Sequence, residues 1–257
     1  MLEAMAQPPA GGKGGRLKSR LLVYVDVLGV TEKILKDDIL GFAVPMAYFQ
    51  GFLTGLVERK SRRAQKHFPK EKTLQASTFS DTFAISCAAD ADRPELVIGL
   101  AQSICTSLWA SGNYTRGAVT LDSLLHYDRV ITGRGLVEAH LLERDVAKYP
   151  RILVTDQAAA LLMSGPRNRL QIRDDFDGLK TLEVFAVAPY GERSQSTHDA
   201  AKQAREMVQR DLKATQRRPM VANQALALNR RAKYQWMLDY LDQVLGATVA
   251  TGSDKPW

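Results

Sequence analysis

The amino-acid sequence predicts an α+β fold: a ferredoxin-like split βαβ core with a mixed or antiparallel sheet, followed by C-terminal helices. Short apolar, β-branched runs at residues 20–27, 73–79, 82–88 and 114–121 alternate with helical periodicities in the order β-α-β-β-α-β. A further helix, strand and hairpin reach residue 187, and residues 197–245 carry a helical pattern throughout. The 257 residues, 45% hydrophobic and 25% charged, suit one large globular domain with an appendage.

Taken in order, residues 1–17 are rich in Gly, Pro and Ala, with Gly-Gly-Lys-Gly-Gly at 11–15, and are expected to be a disordered tail. Residues 18–190 form the core domain and 191–257 a C-terminal helical extension. The run at 20–27 reads as a buried central strand ending near Asp26. Gly29 then opens a turn. A helix is expected over 38–66, interrupted by Gly41, Gly51 and Gly55. The runs at 73–79 and 82–88 flank Ser80-Asp81 and predict a tight hairpin.

Pro94 suits the first turn of a helix over 94–110, in which Leu96, Val97, Leu100, Ala101, Ile104 and Leu108 repeat at helical spacing. A strand follows at 114–121. Leu136, Ala139, Leu142 and Val146 mark a helix over 135–147, and a strand is expected at 151–155. Asp156 is the expected N-cap of the next helix. Residues 169–173 and 180–187 are expected to pair around Asp177-Gly178. Trp236, Met237, Tyr240, Leu241, Val244 and Leu245 form an apolar stripe on the late helix, read as packing or dimer contact.

Composition excludes several classes. No stretch approaches the roughly 20 apolar residues of a membrane helix, and residues 1–15 lack an apolar signal core, so a cytoplasmic, membrane-free protein is expected. Cys87 and Cys105 lie in apolar patterns and read as buried free thiols. The net charge is +7, yet residues 21–190 hold 20 basic and 20 acidic residues; the excess lies at the two ends. A core that bound nucleic acid would carry its own basic face, so no nucleic-acid partner is expected. His67, His126, His140 and His198 show no metal-ligand spacing, and there is no P-loop.

Two carboxylates carry the chemistry. Asp26 is the one acidic residue in its apolar strand, where an ionised group is costly unless paired or metal-bound. Asp81 sits at the tip of the neighbouring hairpin. A split βαβ sheet places that hairpin beside its first strand, so the two can converge, and a divalent cation relieves their repulsion. Arg116 lies early in the 114–121 strand beside this pair, Arg134 lies in Gly-Arg-Gly, and Tyr48 lies on the helix after the first strand.

Val25-Asp26-Val27-Leu28-Gly29, Phe79-Ser80-Asp81-Thr82-Phe83 and Tyr114-Thr115-Arg116-Gly117-Ala118-Val119 resemble class III nucleotidyl cyclase catalytic domains. Gly133-Arg134-Gly135-Leu136-Val137-Glu138-Ala139-His140, Leu142-Glu143 and Tyr149-Pro150-Arg151-Ile152 add a similarity to the pyrimidine (uridylate or cytidylate) cyclases of bacterial anti-phage defence. The resemblance covers about residues 20–190 and marks 18–190 as the catalytic domain; the late helix with Arg231, Lys233 and Trp236 is also similar. It implies a homodimer that converts a pyrimidine nucleoside triphosphate, UTP favoured, to the 3′,5′-cyclic monophosphate and pyrophosphate. The product would activate a separate antiviral effector. Two Mn²⁺ or Mg²⁺ ions are implied, held by Asp26, Asp81 and the carbonyl of Val27, with Arg116 as the candidate phosphate clamp, Arg134 as a second phosphate candidate and Tyr48 as a candidate wall of the base pocket. Purine cyclases carry an Asn and an Arg where this chain has Val137 and Leu141, which sets it apart from them. The alternatives are a purine cyclase, or a non-catalytic nucleotide- or RNA-binding module on the same fold.

Overall fold

A computed structural model describes residues 17–35, 40–58, 74–91, 94–127, 130–164, 172–186, 195–217 and 224–250. Strand β1 (Ser19–Val27) is followed by helices α1 (Val30–Leu35) and α2 (Leu40–Glu58), then the hairpin β2 (Gln75–Phe79) and β3 (Thr82–Ala88). Helix α3 (Glu95–Ala110) leads to β4 (Thr115–Ser123) and a small hairpin, β5 (Leu125–Tyr127) and β6 (Val130–Thr132). Helix α4 (Arg134–Leu141) runs into a π-helical turn over Leu142–Val146. Strand β7 (Ile152–Val154), helix α5 (Asp156–Met163) and strands β8 (Ile172–Asp174) and β9 (Lys180–Leu182) complete the core. Helices α6 (Gln195–Arg217) and α7 (Gln224–Ala250) follow.

The main sheet has the order β2-β3-β1-β4-β7-β9-β8. Strand β1 lies antiparallel between β3 and β4, β2 pairs antiparallel with β3, and β4 pairs parallel with β7. This is the expected split βαβ core, extended into a mixed sheet. Alternate residues of β1 are buried on opposite faces of the sheet, which explains its unbroken apolar run from Leu21 to Val25. Leu21, Val23, Val25 and Val27 join one buried cluster with Val97, Ala101, Ile104 and Leu108 of α3 and with Ala204, Met237 and Leu241 of the late helices. Leu22 and Tyr24 join a second cluster with Ala118, Ala139 and Leu153. Gly117 has to be glycine, because a Cβ there would run into the Tyr24 carbonyl across the β1–β4 pair.

Several expectations need correction. The N-cap of α5 is Thr155, not Asp156: Thr155 keeps extended geometry at the end of β7, and its hydroxyl accepts from the Ala158 amide at 3.4 Å. The pattern over 197–245 resolves into two helices packed on each other. Their inward stripe includes Met237, Tyr240, Leu241 and Val244, so it is core packing within one chain. Strand β9 stops at Leu182, because Ala186 turns back to donate to the Glu183 carbonyl at 3.2 Å. Residues 1–16, 38–39 and 59–66 of the expected first long helix, 73, 169–171, 187–194, 218–223 and 251–257 lie outside the described residues. Both cysteines are free and buried. No helix among the described residues is long and apolar enough to cross a membrane.

Candidate active site

Asp26 occupies the last turn of the pleat in β1, opposite Thr82 on one side and Arg116 on the other. The Thr82 hydroxyl donates to Asp26 Oδ1 at 3.2 Å. Asp81 follows Ser80, which takes a left-handed φ of 55° to close the two-residue β2–β3 turn. That tight closure folds the tip onto β1, where the Val27 amide donates to the Asp81 carbonyl at 3.0 Å. Asp26, Val27 and Asp81 therefore share one end of the sheet.

The electrostatics agree with the geometry. Burial, then the charge of Asp81, then that of Glu143, push the Asp26 carboxyl up from 3.8 to about 6; the Thr82 hydroxyl and Arg116 oppose them. Arg116 is in ionic contact with Glu143, which is buried, and Arg116 Nε has no hydrogen-bond partner among the described residues. His140 Nδ1 lies 3.9 Å from Glu143 and 3.5 Å from the Tyr24 hydroxyl. Asp26 thus lies in the field of two other carboxylates, Asp81 and Glu143, and of the Arg116 guanidinium.

Glu143 is the site residue that sequence reasoning missed. Its signal was present: it stands four residues after Ala139 and three before Val146, on the apolar stripe of the helix, where a carboxylate needs a partner. Among the described residues, no three His, Cys, Asp or Glu side chains gather into a ready-made metal cage. Asp26 and Asp81 nonetheless suit Mg²⁺ or Mn²⁺, hard cations that use one or two carboxylates and take the remaining ligands from water and phosphate.

Two candidates lie elsewhere. Arg134 is exposed and reaches Asp122 Oδ2 at 3.4 Å. Asp122 pairs with Arg20 at the far end of β1, whereas Arg116 pairs with Asp26. One chain therefore does not bring Arg134 to the aspartates. Tyr48 projects from α2, 70% exposed, edge-to-face with Phe49 at 5.4 Å; Phe49 packs on the core.

No family model and no curated protein matches the chain. Among solved structures, it is similar to the catalytic core of a rhodopsin-guanylyl cyclase with converted specificity, in complex with ATPalphaS, at 12% identity and a TM-score of 0.43, over 65% of this chain and 93% of that one. It is also similar to a bacterial light-regulated adenylyl cyclase, at 13% identity and a TM-score of 0.42, over 74% of this chain and 100% of that one. Identities and TM-scores are both low, and the site is defined by this chain's own side chains.

Proposed function

We propose that the chain is a nucleotidyl cyclase whose catalytic centre is the Asp26–Asp81 pair. The observation that carries the reading is the convergence of these two carboxylates at one end of β1, with Asp26 pushed up to about 6 by burial and by the charge of Asp81. Such a pair is electrostatically unfavourable until a cation lies between its members. Asp26, Asp81 and the carbonyl of Val27 would hold two divalent ions. Such ions, when bound, would neutralise charge on the phosphate chain and acidify the attacking hydroxyl.

In the reaction, the ribose 3′-oxygen forms a bond to the α-phosphorus, the bond from that phosphorus to the β-phosphate bridging oxygen breaks, and the hydroxyl proton leaves with pyrophosphate. Arg116 stands beside Asp26 to face the charge that develops on the phosphoryl oxygens, and Glu143 fixes its guanidinium in place.

The finer reading is a pyrimidine substrate, UTP favoured, with the cyclic product switching on an antiviral effector. It rests on the motif resemblance and on Val137 and Leu141. Both are exposed on α4, and neither carries a hydrogen-bonding group. A homodimer is supported by α2, where Leu40, Val44, Tyr48 and Phe52 recur every fourth residue and all stand exposed. Purified protein incubated with each of the four ribonucleoside triphosphates and Mn²⁺ tests the substrate class. Cyclic UMP or cyclic CMP is expected; a cyclic purine product refutes the pyrimidine reading, and no product from any triphosphate refutes the cyclase.

A further inference from the structure

A cavity of about 460 Å³, in the size range of small-ligand sites, opens at the β8–β9 end of the main sheet. Strands β4 and β7 separate β9 from β1, and none of Asp26, Asp81, Arg116 and Glu143 lines it. One wall is helix α7. There Trp236 and Tyr240, four residues apart, form a row of rings, and Gln235, Asp239 and Gln243 form a polar row beside it at the same spacing. The opposite wall is Tyr149, just before β7, and Phe176, in the turn between β8 and β9. Arg151 lies against both of these rings, at 5.7 and 5.6 Å, and its ion pairs with Asp175 and Asp177 pin the turn that carries Phe176.

The rings are set in steps. Tyr149 and Trp236 lie 5.7 Å apart at 28°, and Trp236 and Tyr240 5.6 Å apart at 13°, so three rings share nearly one orientation. Offset stacks of this kind leave part of each face uncovered, and Tyr149 and Trp236 are only half-buried. Phe176 stands across Tyr149 at 84° and is 67% exposed. The ionic groups of the wall are matched within the chain. Asp175 takes Arg151 Nη1 at 2.6 Å, and Arg173 lies over the Tyr240 ring at 4.6 Å, with Gln243 Oε1 at 3.1 Å and Glu183 Oε2 at 3.8 Å. The Gln235 amide donates to Asp239 Oδ1 at 2.9 Å. A guanidinium only donates and a carboxylate only accepts, which fixes both glutamines. Among the described residues, Gln243 then keeps its NH₂ for a ligand, Gln235 its carbonyl, and Asp239 its second oxygen. A π-face with donors and acceptors in a row alongside suits a nucleobase, which has one face to stack and one edge to pair. A simple cation would use the rings and Asp239 but neither glutamine.

We propose that this cavity binds the base of a free nucleoside or mononucleotide, stacked on Trp236 and Tyr149 with its edge toward Gln235, Asp239 and Gln243. Such a site is separate from the aspartate pair and independent of the cyclase reading. It gives the C-terminal extension a role in binding beyond core packing.

The test is NMR titration of the full chain with adenosine and with uridine in EDTA, two probes that carry no phosphate for a metal centre to hold. A saturable shift of the Trp236 indole N–H, assigned by its loss in Trp236→Phe, is expected. Affinities of further variants are read from saturation transfer to the nucleoside, and thermal melting checks that each folds. Phe176→Ala, at an exposed position, and Trp236→Leu are each expected to weaken binding by about fivefold or more, the low end of a base–aromatic stack. Trp236→Tyr is expected to keep most of the affinity. Asp239→Ala is expected to weaken binding by about threefold and to change the ratio of adenosine to uridine affinity, which a merely structural role would not move. No binding of either nucleoside overturns the proposal, as do affinities within about twofold of wild type in the folded ring variants; Phe176→Ala alone decides if Trp236→Leu does not fold. Tetramethylammonium that binds more tightly than both nucleosides also overturns it, in favour of a cation cage. A short single-stranded oligoribonucleotide is the last arm: a shift from the strand with none from the nucleosides overturns a small-molecule site.

Discussion

Replacing Asp26 with Asn separates the cost of the catalytic charge from its use. The side chain keeps its shape and its acceptor for Thr82 but loses the titrating group. The Asp26 carboxyl is raised from 3.8 to about 6, so the folded chain binds its proton more tightly than the unfolded chain does. Its favourable contribution is therefore fully present below pH 3.8 and is lost as pH rises through about 6. At about 1.36 kcal/mol per unit, the whole shift corresponds to about 3 kcal/mol. The carboxyl is only half-buried, and solvent screens this to about 1–2 kcal/mol.

In EDTA at pH 8 we expect Asp26→Asn to be more stable than wild type by that amount, a rise in Tm of about 3–6 °C for a chain of this size. The difference should vanish near pH 4. Adding Mn²⁺ at ten times its Kd should raise the wild type by about 1.4 kcal/mol and leave the variant unmoved. Thermal melts across pH, at one protein concentration with and without the ion, read all three effects. A variant less stable than wild type at pH 8, or a difference constant from pH 4 to 8, refutes the electrostatic reasoning.

Three further outcomes are expected. Arg116→Met leaves the buried Glu143 carboxylate without its cation and should cost about 3–5 kcal/mol in chemical denaturation; adding Glu143→Gln should restore most of it. Gly117→Ala places a Cβ against the Tyr24 carbonyl and should prise β4 from β1, seen as loss of the folded species or of more than about 3 kcal/mol. His126, buried and in contact with Ser77 and Ser86 at 2.9 and 2.8 Å, is held down to about 4 by burial and then by Arg20, so its ring should stay neutral across the physiological range. NMR titration of the ring protons checks this, and a midpoint near the ordinary 6.5 contradicts the network.

The central strands were legible because β1 and β3 are buried on both faces and read as unbroken apolar runs. A lone aspartate stands out against such a background, which is why Asp26 was visible and why the hairpin tip at Asp81 fell beside it. Glu143 was harder to see, since its partner Arg116 is 27 positions earlier and meets it only once α4 packs across β4. Arg134 could not be placed from Gly-Arg-Gly, which says nothing about which end of a strand it reaches; the β1–β4 register sets it beside Asp122. The hairpin β5–β6 and the His126 network were not anticipated, because three-residue strands carry too little periodicity to read. The walls of a cavity of about 300 Å³ beside Leu28 and Gly29, in the β1–α1 turn, were the least legible of all. Lys33, Arg210 and Arg230 come from three helices, and only the packing of α6 on α7 and of α3 on α6 brings them to the end of β1.

The most direct measurement compares wild type, Asp26→Ala and Asp81→Ala for release of cyclic nucleotide and pyrophosphate in Mn²⁺, with circular dichroism confirming that each is folded. We expect product from the wild type and none above background from either variant. Wild-type turnover in either folded variant would contradict a catalytic centre built on this pair.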